Sequence, residues 1–88
     1  MMLTSNHLID NNVHDVFTNN NYTKILKENE VIYKKNMYDL EEFTLKQLGE
    51  KYACSVPLKS DVHYVTYFDC INNANHFLLT HLYYFTEE

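Results

Sequence analysis

The sequence predicts an α+β fold, in which a four-stranded, largely antiparallel sheet is covered on one face by two helices in the order α-β-β-α-β-β. Three observations predict this class. Two segments have apolar residues at helical spacing, four others are rich in β-branched and aromatic residues, and asparagine-rich runs lie between them. A chain of 88 residues is expected to form a single domain, residues 1–88, with a modest core.

The first helix is predicted over residues 5–17, where Leu8, Val13 and Phe17 recur at helical spacing. Thr4 or Ser5 is the expected N-cap. The asparagines of residues 19–21 are expected to end this helix, because asparagine tolerates a left-handed backbone and bonds to its own chain.

Residues 22–27 and 31–35 predict a β-hairpin, with a short loop between them in which Asn29 is expected near positive φ. A second helix is predicted over residues 39–53. Asp39 is its expected N-cap and Glu42, three residues later, completes a capping box. Residues 54–61 then predict a connection, since Pro57 disfavours a central strand.

The last third contains two aromatic runs, residues 62–71 and 76–85, divided by asparagines. The first run predicts a strand. The second is compatible with a strand or with a helix capped by Asn73; its length and aromatic content favour a strand that pairs with the first run.

The charge balance disfavours direct binding to nucleic acid. Twelve acidic residues face seven lysines and no arginine, which gives a net charge of −5. Such a chain is repelled by phosphates and attracted by a basic protein surface, although −5 is also an ordinary value for a soluble surface. The sequence has no apolar run long enough to cross a membrane and no export signal at its start, so we expect a cytoplasmic protein of the host cell.

Catalytic and metal-binding signatures are weak in this sequence. His76 and His81 have a spacing that zinc sites tolerate, but no C-x-x-C accompanies them, and five residues separate side chains onto different faces of a strand or helix. Cys54 and Cys70 are expected to be reduced and largely buried. With no recognisable catalytic motif and one glycine to form a phosphate loop, we expect neither an enzyme nor a cofactor.

Eight tyrosines are the strongest compositional signal, and tyrosine is enriched where proteins bind one another. The hypothesis is a protein-binding surface in which Tyr67 and Tyr83 supply anchoring contacts. Acidic side chains complement a basic, nucleic-acid-binding surface of the partner; the residues concerned are Asp39, Glu41, Glu42, Asp61 and Asp69. The same aromatic hairpin offers a seam for a homodimer.

In size, charge and composition the chain is similar to the small acidic inhibitors that phages and mobile elements encode, anti-CRISPR proteins among them. Its eleven asparagines, with few residues that G/C-rich codons specify, fit an A/T-rich genome. The resemblance implies a non-enzymatic inhibitor that occupies the functional surface of its target. An immunity protein or antitoxin, a homo-oligomeric structural or regulatory subunit, and a small metalloprotein stay open as alternatives.

Overall fold

The computed structural model describes residues 5–35, 42–59 and 62–86 of the chain. It begins with a 3-10 helix at Ser5–Leu8. The remaining elements, in chain order, are α1 (Asn11–Asn19), β1 (Tyr22–Lys27), β2 (Glu30–Lys35), β3 (Glu42–Leu48), β4 (Lys51–Lys59), β5 (Val62–Phe68) and α2 (Ile71–Thr86).

The strands form one sheet in the order β1-β2-β3-β4-β5, and every neighbouring pair is antiparallel. Both α-helices pack on the same face of this sheet, since their buried residues belong to one core cluster with alternate residues of the strands. The α+β class with an antiparallel sheet and two helices is therefore confirmed. The described residues contain five strands, so the predicted number of four is wrong.

The first helical segment begins later than predicted. Residues 5–8 form the 3-10 helix, and α1 starts at Asn11 with Asp10 as its N-cap, whose side chain accepts a hydrogen bond from the Asn12 amide at 3.4 Å. The asparagine run ends the helix as expected: Asn20 is the C-cap and Asn21 has a φ of 71°. The predicted hairpin of β1 and β2 is confirmed, but it is Asn21, and not Asn29, that has positive φ.

The helix predicted over residues 39–53 is wrong. The described part of this segment forms β3 and the start of β4, joined by a two-residue turn at Gly49 and Glu50. Gly49 has a φ of +62°, as a type II′ hairpin turn requires at its first central position. Phe43 and Leu45 are buried and their neighbours less so, which is the alternation of a half-buried strand. Tertiary burial overrides the local helix preference of this charged segment.

Pro57 lies inside β4, which the sequence did not predict. Pro57 pairs with His63 of β5, and a register irregularity follows between Pro57 and Lys59. Proline within a sheet is typically found at such an irregularity, where the ladder of hydrogen bonds is interrupted.

The strand predicted over residues 76–85 is also wrong, because this segment belongs to α2. Ala74, Leu78 and Leu82 are fully buried at intervals of four residues, which places them on one face of a helix. The strand predicted over residues 62–71 is confirmed as β5 but ends at Phe68, and its partner is β4.

The side chain of Asn75 connects α2 to the segment between the 3-10 helix and α1. Its side-chain Oδ1 accepts a hydrogen bond from the Asp10 amide at 2.8 Å. Its Nδ2 donates to the carbonyl oxygens of Leu8 at 2.8 Å and Ile71 at 3.0 Å. This buried amide satisfies backbone groups between the 3-10 helix and α1, and so fixes that segment against α2.

Candidate functional site

The sheet has one face under the helices and one face that no described helix covers, which we call the outer sheet face. Directly paired residues of antiparallel strands lie on the same side of a sheet. One row across this outer face consists of Ile25, Ile32, Thr44, Ser55 and Val65, and the next row consists of Lys27, Glu30, Lys46, Ala53 and Tyr67.

Lysines balance the acidic residues of the outer sheet face. Lys34 Nζ lies 3.8 Å from Glu42 Oε2, and Lys51 Nζ lies 2.6 Å from Asp69 Oδ1. Lys27 and Lys46 flank Glu30 in the register. Glu42 and Asp69, two of the five acidic residues in the hypothesis, are thus already paired within the protein. Asp39, Glu41 and Asp61 lie outside the described residues.

The two tyrosines of the hypothesis lie on opposite sides of the sheet. Tyr67 pairs with Ala53 on the outer sheet face and is 61% exposed. Tyr83 belongs to α2, which covers the other face, and is 50% exposed. The structure does not bring Tyr67 and Tyr83 into one surface.

The solvent side of α2 is uncharged along the whole helix. Residues 71–86 contain no Lys, Arg, Asp or Glu, while Asn73, His76 and Thr80 are exposed and Tyr84 is 72% exposed. Interface cores are depleted of charge and enriched in aromatic residues, whereas an ordinary solvent-facing helix carries charged side chains. This side of α2 therefore has the composition of a contact surface.

A groove runs between α2 and β5. It has a volume of about 420 Å³ and is lined by Phe68, Asn73, His76, Phe77, Thr80 and His81. Phe77 is held between the two elements, with its ring centroid 5.3 Å from that of Phe68 and 6.3 Å from that of Tyr64. Together, the groove, Tyr64 of β5 and Tyr84 of α2 make up what we call the α2–β5 surface.

His81 gives the groove a polar group. Its ring centroid lies 4.6 Å from that of Phe77, and burial lowers the pKa of His81 below its ordinary 6.5. A weaker interaction with the Phe77 backbone raises the pKa and so opposes part of this effect. The buried Nδ1 atom has no partner of ordinary hydrogen-bond geometry among the described residues.

The two edge strands of the sheet differ in charge. Residues 22–27 of β1 include Lys24 and Lys27, whereas residues 62–68 of β5 include no charged residue. Val62, Tyr64, Val65 and Tyr67 of β5 are all exposed. Lysine on an edge strand discourages pairing with another chain, so β1 is protected in a way that β5 is not.

The cysteines are both unpaired and differ in burial. Cys54 is buried in β4, its Sγ lies 3.6 Å from the Ala74 carbonyl oxygen, and burial raises the pKa of its thiol to about 12. The prediction of a buried thiol is thus confirmed for Cys54. It is wrong for Cys70, which follows the end of β5 and is exposed.

Metal-ligand residues do not cluster within the described segments: no group of three or more His, Cys, Asp or Glu side chains there is arranged to hold an ion. No described helix combines the length and apolarity that crossing a membrane requires.

The sequence hypothesis missed the solvent side of α2 and the groove. The signal that predicts them is the absence of charge from residues 62–68 and 71–86, interrupted only by Asp69 between them. Comparison with protein-family models, curated proteins and solved structures finds no match to this chain.

Proposed function

We propose that this chain is a non-enzymatic inhibitor that binds another protein stoichiometrically through its α2–β5 surface. The observation that carries this proposal is an uncharged, aromatic helix side with an open groove, on a chain that is elsewhere rich in charge. A groove of this kind accepts an anchoring side chain, and residues such as Tyr84 supply contact area at low cost in side-chain entropy.

The charge distribution favours a basic partner. Residues 60–88 contain four acidic residues and no lysine, whereas all seven lysines lie within residues 22–59. Asp61 immediately precedes this uncharged surface in sequence, Glu87 and Glu88 follow it, and the chain as a whole carries a net charge of −5. A net negative charge attracts a basic protein or nucleoprotein complex over long range. This mode of action is the one implied by the resemblance to small inhibitors of phages and mobile elements.

Two matched threonine variants test the proposed surface. Thr80→Lys adds a positive charge to the exposed side of α2, and Thr23→Lys adds the same charge to an exposed position of β1. Each tagged variant is used for affinity capture from a lysate of the host cells, and stoichiometric partners are measured by quantitative mass spectrometry.

We expect the wild-type chain and Thr23→Lys to retain the same basic partner, and Thr80→Lys to lose about 2 kcal/mol or more of binding free energy. Equal retention by both variants would show that α2 is not the contact. Failure of the wild-type chain to capture any stoichiometric partner would count against protein binding altogether.

A further inference from the structure

The exposed edge of β5 is available for pairing. One edge of β5 pairs with β4 from Val62 to Phe68, and no described strand pairs with the opposite edge. A strand edge presents a row of backbone N–H and C=O groups, to which an extended peptide can add as a further strand. This strand lacks the lysines that protect β1 at the opposite edge.

The groove lies beside the position that an added strand would take. Neighbouring strands are about 4.8 Å apart, and alternate side chains of a strand point to the same face. Phe68 belongs to both β5 and the groove, whose other wall is α2. An added strand would therefore direct every second side chain toward the groove, while its backbone completed the hydrogen bonds of β5.

Charge distinguishes the two candidate occupants of this edge, a second copy of the chain and a strand of a different protein. Two copies of the chain carry the same net charge of −5, so a second copy that approaches this edge is repelled over long range. A strand with lysine or arginine is instead attracted by that net charge.

We propose that β5 binds an extended, basic segment of the partner as a sixth strand, with one of its apolar side chains in the groove of the α2–β5 surface. This inference rests on the proposed function and adds to it the binding mode and the chemical class of the segment that is recognised.

A displayed library of random peptides tests this binding mode. The peptides are roughly 12 residues long, enough to span a strand and its flanks, and are selected on the immobilised full chain. Binding is then compared between Val65→Lys/Tyr67→Lys, which places two lysines on the β5 edge, and Thr23→Lys/Ile25→Lys, which places two on the β1 edge. All four positions are exposed, and circular dichroism checks that both variants fold.

We expect the enriched peptides to alternate apolar and polar residues and to carry an excess of lysine and arginine. The β5 variant should bind them at least about tenfold more weakly, because like charges would face each other, and the β1 variant should bind them unchanged. Hydrogen exchange of the wild-type chain supplies a readout without substitution: bound peptide should slow exchange at alternate amides of β5.

The inference is overturned if no peptide is enriched, if enriched peptides are neutral or acidic, if the β5 variant binds them equally, or if protection appears at β1. Dimerisation of the free chain through β5, detected by light scattering, would also overturn it in favour of a second copy. A native partner that is lost with Thr80→Lys but retained by Val65→Lys/Tyr67→Lys would refute the strand inference alone and leave the proposed function standing.

Discussion

The tyrosines of the first hairpin and those of the last third of the chain have opposite environments. Tyr22 and Tyr33 are buried beneath α1, whereas Tyr64, Tyr67 and Tyr84 are exposed. The same residue type thus builds the core at one end of the sheet and covers the surface at the other. Abundance of tyrosine in a sequence does not by itself indicate a binding surface.

The buried tyrosines belong to an aromatic cluster around Phe17. The Phe17 ring stacks on Tyr33 with centroids 4.2 Å apart and an interplanar angle of 5°, and it meets Tyr22 and Phe43 edge-on at 5.3 and 5.2 Å. The Tyr33 hydroxyl lies 2.9 Å from His14 Nδ1. Burial, with a smaller contribution from Asp15, raises the pKa of Tyr33 above its ordinary value, so its hydroxyl stays protonated at an alkaline pH at which an exposed tyrosine ionises.

Two of the exposed tyrosines, Tyr67 and Tyr84, lie where the fold has no further layer to cover them. β5 is the last strand of the sheet, and Tyr67 points away from the helices. Tyr84 lies near the end of α2, on its solvent side. Their rings add little to the stability of the free chain, so any advantage they give is expected in binding.

Truncation of Phe17 should have the largest effect on stability. Phe17→Ala removes a fully buried ring from the aromatic cluster and should lower the free energy of unfolding by about 3–5 kcal/mol. Tyr84→Ala should change it by less than about 0.5 kcal/mol, since its ring is mostly exposed. Chemical denaturation followed by circular dichroism measures both.

If Phe17→Ala does not fold, Phe17→Leu provides the same comparison with a smaller expected loss of about 1–2 kcal/mol. Similar losses for Phe17→Leu and Tyr84→Ala would mean that the two groups of aromatic residues do not differ in the way described above.

Replacement of Asn75 should have the next largest effect. Asn75→Ala leaves the Leu8 carbonyl and the Asp10 amide without their buried partner and should cost about 3 kcal/mol, less a few tenths regained from the helix propensity of alanine. Asn73→Ala, at an exposed position of the same helix, should be neutral or slightly stabilising. Thermal and urea unfolding distinguish these outcomes, and equal effects would show that the Asn75 hydrogen bonds contribute no net stability.

The sequence predicted those parts of the fold in which local and tertiary preferences agree. β-Branched and aromatic residues on either side of a short loop specified the β1–β2 hairpin, and the asparagines of residues 19–21 ended α1 as expected. The prediction failed at residues 39–53, where a capping box and good helix formers indicated a helix. Gly49 instead forms the turn of the β3–β4 hairpin with a positive φ.

The candidate site was harder to predict, because its residues lie on two elements whose relation depends on the whole fold. A strand over residues 76–85 would place Tyr83 and Tyr84 on opposite faces of a hairpin and would form no groove against β5. The helical alternative, with Ala74, Leu78 and Leu82 on one side, places His76 and Thr80 together on the other. Periodicity alone did not decide between a strand and a helix in so apolar a segment.

Replacement of His81 should have the smallest effect on stability, and the pKa of His81 reports directly on how far the groove excludes water. Because its pKa is lowered in the folded chain, the unfolded chain takes up a proton more readily as the pH falls below the ordinary value of 6.5. The contribution of His81 to stability is therefore complete above that pH, decreases as the pH falls toward the folded-state pKa, and is constant below it. The difference in unfolding free energy between the wild-type chain and His81→Gln should follow this course when urea denaturation is repeated from pH 7.5 to pH 5.

NMR titration of the His81 ring should show the lowered pKa directly, and a bound peptide that occupies the groove should lower it further by excluding water. A His81 pKa at or above 6.5 in the free chain would show that the ring is solvated and that the groove is more open than the structure shows.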